Sequence, residues 1–172
     1  MALAAGLSKD CAANSGGIKR IAIANEADVA SVAYTSNVAA ITMGTAKVFY
    51  EFEFEQDTAE WRENGELING SLKYTQELEF FIRKNNDTNR TALAELGSNC
   101  GFIILVEDMN GTVYILGHSE DLADERPMKL ASDATASGKE LTDLAGSTMT
   151  LTAMSVAKAH TSSLTIDAAL AL

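Results

Sequence analysis

The chain has 172 residues, is 47% hydrophobic, and carries 24 acidic against 13 basic side chains, a formal net charge of −11. That length suits one domain with a real core, and the acidic balance argues against a grip on nucleic-acid phosphates, which takes a surplus of Lys and Arg. No run comes near the roughly 18–20 apolar residues of a membrane helix, and the two cysteines, Cys11 and Cys100, have neither metal-ligand spacing nor a disulfide-rich setting.

The apolar start Met1–Leu7 is short, follows no basic residues and runs into Ser8-Lys9-Asp10. It lacks a signal-peptide pattern, which predicts synthesis in the cytoplasm. Residues 1–16 read as an extended arm ending in the loop signal Asn14-Ser15-Gly16-Gly17. Ile18–Ala24 reads as a strand, Glu26–Ser36 fits neither period, and Val38–Met43 reads as a short strand. In Lys47–Glu55, Val48, Tyr50, Phe52 and Phe54 fall on one side and Glu51, Glu53 and Glu55 on the other. Ser71–Lys84 repeats the pattern, setting Leu72, Tyr74, Leu78, Phe80 and Ile82 against Lys73, Thr75, Glu77, Glu79 and Arg83. Strand side chains alternate between faces, so both runs are predicted as strands with one buried and one polar face. They are expected to be the arms of one long hairpin. Gln56–Gly70, with its turn dipeptides Asn64-Gly65 and Asn69-Gly70, would be the projecting loop. Pairing would bring Glu51, Glu53, Glu55, Glu77 and Glu79 to one acidic face.

Asp87 or Thr88 is placed to cap a short helix that turns Leu93 and Leu96 to the sheet and ends at Gly97. Gly101–Glu107 is nearly continuous apolar sequence, a buried strand with Ile103 and Leu105 in the core. Asp108-Met-Asn-Gly111 then predicts a tight turn into a partner strand, Thr112–Leu116. Gly117–Ser137, with the only proline, reads as a polar loop. Ser147–Met154 is the last core strand, with Met149, Leu151 and Ala153 opposite Thr148, Thr150 and Thr152. Residues 157–172 read as a second extended arm. The fold class is mainly β (α+β): a single domain over residues 1–172, an antiparallel β-sandwich or partial barrel with one flanking helix and a long hairpin.

Little in the chain points to chemistry. His118, in Gly117-His-Ser-Glu-Asp121, could hold a metal or orient a base, but no second ligand cluster accompanies it and it reads as a solvated loop residue. There is no Gly-x-Ser-x-Gly elbow and no phosphate-cradling glycine loop, and Asp108–Gly111 lacks the remaining ligands of a calcium loop. No catalytic residue, cofactor or metal is predicted, and the chain is read as a non-enzyme. The glutamate face is either a solvated exterior or a lumen. Within a Debye length of roughly 8–10 Å a lumen of this charge would repel phosphates and let DNA slide past.

The order of elements resembles the tail tube proteins of tailed bacteriophages. The resemblance is carried by Val48–Phe54 and Leu72–Phe80, the short helix Thr88–Leu96, the run Ile103-Ile-Leu-Val-Glu-Asp-Met-Asn-Gly-Thr-Val-Tyr-Ile-Leu-Gly117, and Asp143-Leu-Ala-Gly-Ser before the Thr-rich strand. It covers about residues 17–155, and the type VI secretion tube proteins share the architecture. It implies a structural subunit of the virion tail that forms hexameric rings. The sheets of each ring join in one inner β-barrel, and the rings stack into a tube that conducts DNA without specific binding. The implied partners are further copies of the chain and other tail proteins, with no membrane and no cofactor. Two alternatives stand beside it: another virion structural protein, such as a capsid-decorating or head–tail connector subunit, and a small binding module using the Gly117–Ser137 loop.

Overall fold

The computed structural model describes residues 14–140 and 142–172. The chain is mainly β, with two sheets, two α-helices and one 3-10 turn (Glu26–Asp28) among these residues. The first sheet has seven strands. They are β1 (Ile18–Asn25), β2 (Val29–Thr35), β3 (Val38–Met43), β4 (Tyr50–Glu51), β7 (Phe102–Asp108), β8 (Val113–Leu116) and β11 (Thr161–Ser162), in the order β2-β3-β11-β8-β7-β1-β4. The second sheet is antiparallel and built from β5 (Glu60–Ile68), β6 (Ser71–Arg83), β10 (Gly146–Ser155) and β9 (Lys129–Ala136), in the order β5-β6-β10-β9. Helix α1 spans Asp87–Ser98 and α2 spans Ile166–Leu170.

The sheets meet across one cluster. Ile21, Ile23, Ile104 and Val106 of the seven-stranded sheet pack with Leu78, Phe80, Met149 and Leu151 of the other, and Leu93 and Leu96 of α1 close the end. The opposite face of the seven-stranded sheet is covered too: Ala22, Ala24, Ile103, Leu105 and Ile115 lie beneath Phe49 and beneath Ile166 and Ala169 of α2. A strand buried on both faces needs apolar residues at every position, which is why Phe102–Val106 runs without alternation. Leu78, Phe80, Leu93, Leu96, Ile103 and Leu105 are buried as expected, and Phe52, Phe54 and Ile82 pack partly buried against the first cluster.

The hairpin arms differ from expectation. Only Tyr50–Glu51 of the run 47–55 is strand, and β6 pairs instead with β5, which lies inside the predicted loop. Their two-residue turn is Asn69-Gly70, both at positive φ (51° and 82°), the geometry that matches strand twist. Segment 47–55 is a crossing. Phe49 N donates to Ala169 O, Phe52 N to Ile21 O of the first sheet, and Glu55 N to Phe81 O of the second. Its alternation is that of an extended chain passing between layers. The passage turns Phe49 inward on one side of the sheet and leaves Tyr50 63% exposed, so Tyr50 is not core. Val48 is half-buried. Leu72 is exposed because β6 outruns β10 there, and Tyr74 is half-buried over Gly65, whose missing side chain makes room for the ring.

Three further expectations are corrected. Residues 129–136 of the predicted polar loop form edge strand β9. Residues 157–172 are not a free arm, for β11 inserts between β3 and β8 and α2 packs on the sheet. The first arm, 1–16, lies outside the described residues except for 14–16. The cap of α1 is Asn86, whose side chain accepts from Asn89 N at 2.8 Å. Asn86→Ala should cost about 1 kcal/mol of stability, read as a lower urea midpoint with an unchanged slope.

Candidate functional site

The five glutamates singled out in the sequence are divided by the crossing of segment 47–55. Glu77 and Glu79 project from the outer face of the four-stranded sheet, because Leu78 and Phe80 between them point to the core. The register builds that face in rows: Glu60, Glu79, Thr150 and Ser132 lie side by side, and so do Arg62, Glu77, Thr152 and Lys129. Arg62 Nη2 donates to Glu77 Oε1 at 2.6 Å, and its Nε stands 3.9 Å from Glu60. Glu60 and Glu79 are directly opposite, a like-charge pair that costs up to about 1 kcal/mol unless solvent or a cation relieves it. The face is therefore polar, threonine-rich and locally acidic. Among the described residues its two bordering strands, β5 and β9, each have one side without a strand partner.

Glu51, Glu53 and Glu55 stand on neither of these strands. Glu51 takes Arg20 in a fork, with Nε to Oε1 at 2.6 Å and Nη2 to Oε2 at 3.1 Å, and Arg20 Nη1 also donates to Asp167 of α2. The hydrogen bond from Arg20 holds the Glu51 carboxyl below its ordinary range, against the opposing effect of burial. The same bonds, that to Glu51 first, raise Arg20. Glu55 pairs with Arg83 at 3.0 Å. Glu53 has no ion-pair partner among the described residues. All three rim a groove of about 820 Å³ between the crossing segment and α1, floored by Ile23, Phe52, Phe54, Leu93, Leu96 and Phe102.

A second cluster escaped sequence reasoning. His118 is half-buried, not a solvated loop residue, and its Nδ1 hydrogen-bonds the Tyr34 hydroxyl. The Tyr34 ring packs with two imidazoles, His118 stacked at 5.6 Å between centroids and His160 edge-on at 4.7 Å. A cleft of about 270 Å³ beside them is lined by Glu26, Tyr34, His118, Ser119, Glu120 and Asp124. Burial pushes His118 below the usual imidazole range, outweighing the charge of Asp124, and His160 adds to the depression. Burial, then the charge of Glu120, raises the Tyr34 phenol. No spacing signal could have joined these three residues, because they come from three separate elements.

Among the described residues no group of three His, Cys, Asp or Glu side chains is placed to hold a metal ion. Among them, too, no helix is long and apolar enough to cross a membrane. No family model, curated protein or solved structure matches the chain.

Proposed function

We propose that the chain is the structural subunit of a phage tail tube, assembling as closed rings that stack around a DNA-conducting lumen. The observation that carries this reading is the pair of edge strands, β5 and β9, at opposite borders of the same polar sheet face. A nine-residue and an eight-residue edge, each with a row of backbone groups unpaired among the described residues, are templates for further pairing. Placing β5 of one copy beside β9 of the next repeats one heterologous contact, and such a contact closes into a ring when the rotation allows. The sheet would then continue from copy to copy as one inner barrel, with the Glu60, Glu77, Glu79 and threonine face toward the passage.

In this reading the lumen charge comes from Glu60, Glu77 and Glu79, while Glu51 and Glu55 serve ion pairs and Glu53 the rim of the α1 groove. The assembled protein belongs to the virion tail and is made in the host cytoplasm, with copies of itself and other tail proteins as partners. Its role is mechanical and needs no catalytic residue or cofactor.

Negative-stain electron microscopy of the purified chain tests the proposal. Stacked rings or tubes are the expected result. Monomers or isolated trimers at every concentration would overturn it and favour a capsid-decorating or connector role. A monomer that gains an ordered ligand at the Gly117–Ser137 loop would favour the binding module.

A further inference from the structure

The β2–β3 hairpin reaches the rest of its sheet through a very small bridge. No ladder joins β3 to β8; the two-residue strand β11 lies between them, parallel to β3 and antiparallel to β8. Beside the short ladders, the bridging bonds are Ile115 N to His160 O at 3.0 Å on one side, and on the other Thr161 N to Asn37 O at 3.2 Å and Ser163 N to Ala39 O at 2.9 Å, with the Thr161 and Ser163 hydroxyls donating to the same two carbonyls. Beside this bridge stand Tyr34 of the hairpin, His118 of the segment after β8, and His160, which immediately precedes β11. His160 is 8% exposed, and its Nε2 is buried with no hydrogen-bond partner among the described residues.

We propose that Tyr34, His118 and His160 form an acid-released latch that fastens the C-terminal segment, and through it the β2–β3 hairpin, to the seven-stranded sheet.

Protonating His118 makes both ring nitrogens donors. Nδ1 then donates to the Tyr34 oxygen, which reverses the bond for the tautomer in which neutral Nδ1 accepts from the phenol, and Nε2–H needs an acceptor in the half-buried cluster. The new cation also stands in the same cluster as the His160 imidazole, which packs on the same tyrosine ring. The charged groups around the cluster do not neutralise it evenly. Glu26 from the turn before β2, and Glu120 and Asp124 from the loop after β8, line the open side of the cleft. On the inner side the nearby carboxylate is Glu63 of β5, whose Oε1 already accepts from Ala159 N at 2.7 Å and from Gln76 Nε2 at 3.3 Å.

The sign follows from linkage. His118 is depressed in the closed form, so above its ordinary pKa of about 6.5 it is neutral whether the latch is closed or open. As the pH falls below that value the open form takes up the proton first, and closure loses stability until the folded pKa is passed. Asp28, Glu51, Asp143 and Asp167 are held below the ordinary carboxylate range, so these acids stay ionised while the imidazole titrates.

Hydrogen exchange of the full chain, followed from about pH 7.5 to about pH 5 and corrected for intrinsic rates, tests the latch. Protection in residues 29–43 and 160–170 should fall by up to about tenfold per pH unit, the limit for one proton, while β6 and β10 hold theirs. His118→Gln, which can still bond Tyr34 but takes up no proton, should keep neutral-pH protection and lose the acid response. Unchanged protection in the parent, or the same acid opening in His118→Gln, would overturn the proposal. If His118→Gln is already open at neutral pH, the parent decides. Opening that tracks the His118 imidazole resonances by NMR supports the latch, and opening at a different midpoint overturns it.

Discussion

Phe80→Ala is expected to cost about 3–5 kcal/mol, the range for emptying a fully buried aromatic site, and to lower the melting temperature by roughly 6–20 °C for a chain of this size. Phe80 is wholly buried between the two sheets, opposite Met149 on β10 and edge-on to Phe52 at 6.4 Å. Truncation removes the contact between β6 and the crossing segment at once, and the walls are β-ladders that cannot close over the void. Phe80→Leu keeps most of the volume and should cost about 1.5 kcal/mol or less. Urea unfolding of the three proteins separates cavity from chemistry. Equal losses for Ala and Leu would mean the ring shape is what matters; no loss for Ala would mean the two sheets do not share this core. The consequence reaches the candidate lumen, because Phe80 fixes the pleat that turns Glu79 and Phe81 outward. A one-residue slip of β6 would send the glutamates into the core.

Much of the two-sheet core could be read from the chain, because β6, β7 and β10 carry their pattern in apolar residues. The hairpin was misplaced for a physical reason. Alternation reports which side of an extended chain is wet, and segment 47–55 is extended without a ladder along most of its length. Strand β5 was invisible for the converse reason: the positions on its core-side face are Trp61, Glu63, Gly65 and Leu67, of which only two are apolar and Leu67 runs past the core into solvent. Glu63 can point inward because Gln76 Nε2 and Ala159 N satisfy it, and Gly65 because the Tyr74 ring covers it. Neither reason exists until the strands are paired. Edge strand β9 has almost no burial to leave a pattern. In the C-terminal segment the spacing of Ile166 and Ala169 behind Thr165 was a readable helix start, with the Thr165 hydroxyl accepting from Ala168 N. Of the acidic face only Glu77 and Glu79 could be found, since Glu60 and Arg62 come from the unread strand and Glu51, Glu53 and Glu55 lie on the crossing segment.

Gly117→Ala should be the other severe substitution, with an expected loss of about 2–5 kcal/mol from backbone strain and crowding together. Gly117 has φ +81°, a conformation L side chains rarely adopt, and it is buried where β8 leaves the sheet. A Cβ there would stand 2.6 Å from Phe102 O and 2.7 Å from Met128 N, both backbone atoms, and those two residues bond each other at 2.9 Å in both directions. No side-chain rotation relieves such a contact; the Phe102–Met128 bridge has to part. Gly117 N also donates to the buried Gln76 Oε1 at 3.2 Å, so moving it strips an acceptor that has no water to turn to. Gln76 in turn reaches Glu63, so the disturbance passes from the seven-stranded sheet into the edge strand β5. The contrast is Gly70→Ala at the exposed hairpin turn, where φ is equally positive but a Cβ meets nothing within 4 Å. It should cost only the conformational part, about 1–2 kcal/mol. Thermal unfolding that places the two alanine variants level would remove the Phe102–Met128 clash from the account and leave backbone strain alone.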